Sequence, residues 1–166
     1  MTDEIILPVL YGRLWHTTHP DRYSGILTSG AILPEPNLPD LEREKTRDGK
    51  DGYSFVRALS GVSLFDFKEF DPDAYSARCP SSCWSYFVPH NLVWGRAIWI
   101  EIDRDKVASQ LISGLDLLAR WKTEEAYKYS IMPEIEAAHL GPLPRIAFKR
   151  AFGVSKADNR FHNLPT

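Results

Sequence analysis

Leu14-Trp15-His16-Thr17-Thr18-His19-Pro20-Asp21, with the amphipathic run that continues it to Gly30, decides how the rest of this chain reads. Tyr11 to His16 alternates, Leu14 and His16 against Arg13 and Trp15, which is the period of a strand. The period then changes. Thr18 is placed to cap a helix whose first turn holds Pro20 and Asp21; Tyr23, Ile26 and Leu27 recur at helical spacing, and Gly30 supplies a left-handed stop. A histidine is therefore delivered to a strand end, against the start of a short helix. Taken alone, such a histidine is more often core filler or a surface group than a ligand to anything.

Outward from this unit the pattern is one of short elements. Residues 1 to 10 read as an apolar tail containing Pro8. Pro34 to Gly52 is rich in proline and mixed charge without an apolar stripe, a long loop with at most one exposed helical turn, and a loop of that length in a small domain is usually either disordered or a lid over a site. Gly61 to Phe67 alternates as a strand, with Val62, Leu64 and Asp66 opposed to Ser63, Phe65 and Phe67. Asp71 to Asn91 reads as an irregular segment dense in Tyr75, Trp84, Tyr86 and Phe87, a surface suited to a flat ligand. Ala97 to Ile102 is a strong strand, Asp103 to Leu111 a short helix, and Leu115 to Tyr129 a longer one with Leu118, Trp121 and Ala126 near its buried stripe. Pro133 to His139 and Arg145 to Val154 read as closing strands, joined by the turn-forming Gly141-Pro142-Leu143-Pro144. The expectation is a single α/β (α+β) domain over residues 1–166, with a mixed, mainly antiparallel split sheet flanked by short helices. Its core would span about 11–154, followed by a flexible tail at 155–166.

Composition narrows the class of protein. With 166 residues and 43% hydrophobic content the chain suits one compact core. A net charge of -2 gives no global case for a nucleic-acid or membrane-surface partner. No apolar run reaches the roughly 20 residues of a membrane helix, and Asp3 and Glu4 stand where a secretory signal carries basic residues, so a cytoplasmic protein is expected. Cys79 and Cys83 are the only cysteines, so both are expected as thiols. With His90 they fall short of the four ligands of a structural zinc site, and no metal is expected. A thiol nucleophile has no local signature either. The charged blocks at 40–51 and 115–129 read as solvated faces.

Glu134 and Glu136 are more informative. In a strand from Pro133 to His139 they share a face, two apart, while Ile135 and Ala137 turn to the core. Two adjacent carboxylates in a mostly apolar segment repel, which either a solvated edge or a reaction can explain.

The two segments together carry a family resemblance. Leu14-Trp15-His16-Thr17-Thr18, followed by Ile26, Leu27 and Gly30, resembles the first motif of the ADP-ribosyltransferase superfamily: aromatic, His, small residue, Thr, then a helix ending Ile-Leu-x-x-Gly. Ile135-Glu136-Ala137-Ala138-His139-Leu140-Gly141-Pro142-Leu143-Pro144 is similar to its catalytic-glutamate strand, in the version with a Gly-x-hydrophobic-Pro joint found in bacterial toxins that ADP-ribosylate DNA. Gly61 to Phe67 followed by Tyr75 falls where the middle motif belongs, although Ser63 stands where the family often has Tyr. The resemblance covers about residues 11 to 150.

What it implies is NAD as a substrate, no metal, and cleavage of the nicotinamide–ribose bond with transfer of ADP-ribose to a macromolecular acceptor, protein or nucleic acid. Glu136 would be the catalytic carboxylate and Glu134 its helper toward the acceptor. His16 would hydrogen-bond the adenosine ribose or hold the dinucleotide's bend, as the matching His does in the diphtheria-toxin-like branch, with Thr17 or Thr18 helping; Ser63 falls in the middle motif, and Tyr75, ahead of Tyr86 and Trp84, would stack on nicotinamide. A toxin or effector of this kind would have an antitoxin or immunity partner. The same resemblance admits an NAD glycohydrolase, an RNA 2′-phosphotransferase for which Arg13 and Arg57 are candidate phosphate ligands, and a non-catalytic binding or inhibitory module. The absence of Gly-x-Gly-x-x-Gly argues against a Rossmann site.

Overall fold

The computed structural model describes residues 2–43, 52–157 and 160–166, and the side chains from residue 6 onward. In chain order the elements are α1 (Thr2–Leu10), β1 (Leu14–Thr18), α2 (Pro20–Ser29), β2 (Ala31–Ile32), α3 (Phe55–Ala58), β3 (Gly61–Asp66), α4 (Pro72–Arg78), α5 (Trp84–Phe87), β4 (Arg96–Ile102), α6 (Arg104–Val107), β5 (Leu111–Ile112), α7 (Gly114–Thr123), β6 (Glu136–Leu140), β7 (Leu143–Pro144), β8 (Phe148–Ser155) and β9 (His162–Leu164). Seven strands form one sheet in the order β5-β6-β3-β1-β4-β8-β9, with β2 and β7 paired apart from it. All these strand pairs run antiparallel; Ser54 and Ser130 add an isolated parallel bridge. The fold is the expected mixed, mainly antiparallel α+β domain.

The sheet is covered on both faces, which is why its central strands carry apolar residues at successive positions. Trp15, Phe65, Phe67, Ala97, Trp99, Phe152 and Val154 pack on one side with Ile6, Leu10, Tyr75 and Phe87. Leu14, Val62, Leu64, Ile98, Ile100, Ile102, Ala137 and Ala151 pack on the other with Tyr23, Ile32 and Leu143. Phe55, Val56, Leu117, Ala126 and Ala138 form a third, smaller cluster.

Several local expectations are corrected. Residues 2–10 are helix α1, not a tail: Ile6 and Leu10 lie one turn apart and are fully covered, and that burial outweighs the N–H that Pro8 cannot supply. The first strand starts at Leu14, not Tyr11. The cap of α2 is His19, whose Nδ1 accepts from the Asp21 N–H, and not Thr18, which is buried within β1; Pro20 and the left-handed Gly30 stand as expected. Asp71 to Asn91 is not irregular. Asp71 accepts from the Ala74 N–H to cap α4, and α5 follows. Its aromatic residues are core: Tyr75 and Phe87 are buried and Trp84 packs against the same cluster.

The helix after Ser113 stops at Thr123 and buries Leu117, short of the expected Tyr129. The helix after Asp103 is one turn, α6, and not the whole of 103–111. The closing strand expected from Pro133 is β6 and begins at Glu136, and β8 begins at Phe148 after a 3-10 turn. The chain end is not frayed over 162–164, where β9 pairs with β8, and Tyr23 and Arg145 hold the Pro165 and Thr166 carbonyls. Of the long loop, Pro34 to Arg43 is described and contains the single turn Asp40–Glu42; the charged stretch 44–51 lies outside the described residues.

Candidate active site

The site is made where the sheet divides. β1 and β3 pair only through Leu14–Asp66 and Trp15–Phe65; beyond Trp15, β1 continues against β4 alone, while Gly61 to Phe65 runs against β6. The backbone groups facing the gap need partners. His16 supplies one, its Nδ1 lying 3.1 Å from the Ser63 carbonyl. Because a carbonyl only accepts, the ring carries its proton on Nδ1, and Nε2 is left as the acceptor edge. On the far side of β3 the Ser63 hydroxyl donates to Glu136 Oε1 at 2.8 Å, and the Met132 N–H donates to Glu136 Oε2 at 2.8 Å. Glu136 is buried while Ser63 is exposed. His16, Ser63 and Glu136 are thus tied in sequence across the split, through the backbone and side chain of one serine.

A cleft of about 270 Å³ opens at the split and is lined by His16, Thr17, Thr18 and Ser63 together with Arg22, Arg57 and Trp94, among others. Four of the expected ligand residues therefore converge. Trp94 was not signalled by any pattern: it sits in the loop before β4, its ring meets His19 edge-on at 5.1 Å, and the Arg22 guanidinium lies 5.9 Å from its centre. Burial in the gap pushes the His16 pKa down to about 4, the Ser63 carbonyl offsetting this only in part, so the ring is neutral near pH 7.

Glu134 is not on the face of Glu136. It precedes β6 with φ 67, a left-handed conformation unusual for a side-chain-bearing residue, and its carboxylate accepts from Arg78 Nη2 at 2.9 Å. Its carbonyl presses so closely on α7 that a Cβ at Gly114 would meet it at 1.8 Å. Glu134 lines a separate cavity of about 340 Å³ at the other end of β3, with Asp66, Arg78 and Arg104. The pairing of two carboxylates on one strand face is therefore corrected: the strand starts two residues later than its apolar pattern suggested.

Tyr75 also departs from its expected role. It lines the second cavity and not the His16 cleft; its ring is 1% exposed and packs on Phe70 and Trp84, and its hydroxyl is engaged by the Pro133 carbonyl and Ser82. Burial raises its pKa far above the ordinary tyrosine value. The aromatic wall of the His16 cleft is Trp94. Cys79 and Cys83 form no disulfide and pack against the aromatic cluster, and among the described residues no group of three His, Cys, Asp or Glu side chains could hold a metal ion. No described helix is long and apolar enough to cross a membrane.

No protein-family model matches this sequence, and no curated protein matches it. Among solved structures, the chain is similar to a mutant E. coli heat-labile enterotoxin described as inactive through mutation of a buried residue without conformational change. The two share 16% identity and a TM-score of 0.45, over 92% of this chain and 75% of the other.

Proposed function

We propose that this chain cleaves the nicotinamide–ribose bond of NAD and transfers ADP-ribose to a macromolecular acceptor. The observation that carries the reading is the connected set His16–Ser63–Glu136 at the split of the sheet, beside a cleft that also takes in Thr17 and Thr18. In such a reaction the C–N bond breaks with its electron pair leaving on nicotinamide, and positive charge grows on the ribose. Glu136 is the group to stabilise that charge: a carboxylate held by two hydrogen-bond donors is fixed in place before the reaction and costs no reorganisation during it. The acceptor nucleophile then bonds to the ribose carbon and gives up its proton to the Glu136 carboxylate, which passes it to solvent. Ser63 positions the carboxylate, and neutral His16 offers Nε2 to a sugar hydroxyl.

A second reading, hydrolysis with water as the acceptor, is favoured by the geometry of Glu134. Its carboxylate is paired with Arg78 and lines the other cavity, so Glu134 is not placed beside Glu136 to receive an acceptor. Incubation with NAD tests both. Nicotinamide release that disappears in Glu136→Gln supports the reading, and labelled macromolecule distinguishes transfer from hydrolysis. Neither NAD binding nor nicotinamide release in the wild type would overturn it.

A further inference from the structure

Glu136 takes its orientation from the turn that leads into it. The Met132 N–H donates to Glu136 Oε2, and the Met132 carbonyl accepts from the Glu136 N–H at 3.0 Å, so the carboxylate and its own backbone are tied to one residue. The chain between them is not relaxed. Glu134 adopts φ 67, a conformation that a β-carbon disfavours, and β6 begins only after it. A turn of this kind keeps its shape only where the surroundings over-determine it.

The contact that does so comes from α4. Tyr75 Oη lies 2.7 Å from the Pro133 carbonyl, which also accepts from the Ile135 N–H at 2.8 Å. A carbonyl only accepts, so the Tyr75 proton points at Pro133, and the Ser82 hydroxyl, 2.8 Å away, donates to Tyr75 Oη. The ring that carries this hydroxyl is buried, with the Phe70 and Trp84 ring centres 5.3 and 6.4 Å from its own. Arg78, one turn further along α4, reaches Glu134, but its side chain is about half exposed and such a screened pair holds little. Tyr75 lines the second cavity and not the His16 cleft, so its hydroxyl acts on the backbone of the turn and not on a ligand beside His16.

We propose that Tyr75 is a positioning residue for Glu136: its hydroxyl clamps the Pro133 carbonyl and thereby fixes the turn that aims the Met132 N–H at the carboxylate. The proposal rests on the reading of Glu136 as the group that stabilises charge on the ribose. A carboxylate whose backbone donor can drift must be reorganised during the reaction, which slows turnover and leaves the binding of NAD in the cleft as it was.

Tyr75→Phe removes the hydroxyl and keeps the ring in its cluster. Its kcat for nicotinamide release should fall by about tenfold, the rate equivalent of one hydrogen bond, with the KM for NAD held within about twofold. Trp84→Phe is the control: it loosens the same aromatic cluster without touching the Pro133 carbonyl, so it should melt lower than wild type yet keep the wild-type kcat when both are assayed well below melting. Amide exchange followed by NMR reads the clamp without turnover. Relative to the amides of β4, the Met132 and Ile135 N–H groups should exchange about tenfold faster in Tyr75→Phe, and at the wild-type ratio in Trp84→Phe. A wild-type kcat in Tyr75→Phe, an equal fall of kcat in both variants, or a raised KM with kcat held overturns the proposal, the last by returning the hydroxyl to a ligand contact. Faster exchange in Tyr75→Phe from a wild type that releases no nicotinamide would end the NAD reading and keep the clamp, whereas release with kcat and exchange both unmoved in Tyr75→Phe would do the reverse.

Discussion

The two ends of β3 carry similar side chains to opposite effect. At the Asp66 end two ion pairs close within the second cavity: Arg104 Nη2 and Nη1 donate to the two oxygens of Asp66 at 2.5 and 3.3 Å, and Arg78 holds Glu134. At the Ser63 end the cleft keeps a neutral histidine with an open acceptor edge, an unmet hydroxyl and an unmet guanidinium N–H. One end spends its polar groups on folding and the other leaves them for something else. Neutralised charge is weak evidence of a site; stranded polarity is stronger evidence.

The comparison breaks first at Glu136. Replacing it by Gln should lower nicotinamide release by about a hundredfold or more, the scale of losing one preorganised electrostatic group, while NAD affinity stays within about threefold. Gln can keep its side-chain oxygen on the Met132 N–H and donate its NH2 to Ser63 Oγ, so stability should fall by no more than about 1 kcal/mol. Stopped-time assays of nicotinamide and a calorimetric Kd read the two separately. At the other end Arg104→Ala should do the opposite, leaving release intact and removing about 3 kcal/mol of stability, because the nearly buried Asp66 carboxylate loses its partner. Urea denaturation checks this, and equal loss of activity in Arg104→Ala would erase the division between the ends.

His16 sharpens the contrast through pH. Its folded pKa of about 4 lies below the ordinary 6.5, so between these values the unfolded chain binds a proton that the folded chain refuses. The stability linked to a neutral His16 is complete above pH 6.5 and is lost as pH falls toward 4, by about 2 kcal/mol at pH 4.5 once solvent access to the half-buried ring is allowed for. His16→Gln should flatten that part of the curve. The KM for NAD should show no inflection near 6.5, and an inflection there would mean that the ring titrates as an exposed histidine does.

Legibility in the sequence followed the range of the interactions. β1, α2 with its Gly30 stop, β3 and β4 were readable because alternation, capping and an apolar stripe are local. His16 and Glu136 are readable only through a family resemblance, yet their link through Ser63 depends on where the sheet splits, which no local period encodes. The failures share one cause. Tyr75, Phe87 and Trp84 read as a binding surface because proline and cysteine surround them, but they pack into the core cluster that Ile6 and Leu10 of α1 also join. Glu134 looked paired with Glu136 because apolar alternation ran past the true start of β6, where a left-handed residue interrupts it. Arg57 and Trp94 had no periodic signal at all; tertiary placement alone makes them cleft residues.

The smallest expected effect is the most diagnostic of how the ends are built. At an ordinary strand position Gly is less stable than Ala, through its greater unfolded-state freedom and lost packing. At Glu134, with φ 67, the order should invert. Glu134→Ala loses the Arg78 pair and keeps a conformation that costs a β-carbon roughly 1–2 kcal/mol, whereas Glu134→Gly loses the same pair and relieves the conformation. The pair itself contributes little, since Arg78 is about half exposed. Glu134→Gly should therefore exceed Glu134→Ala by about 1 kcal/mol in urea denaturation. Both variants should release nicotinamide as wild type does, because Glu134 lines the other cavity. If transfer to a macromolecule falls while release holds, the second cavity seats the acceptor; if Gly proves less stable than Ala, Glu134 sits in an ordinary strand after all, and the separation of the two ends fails with it.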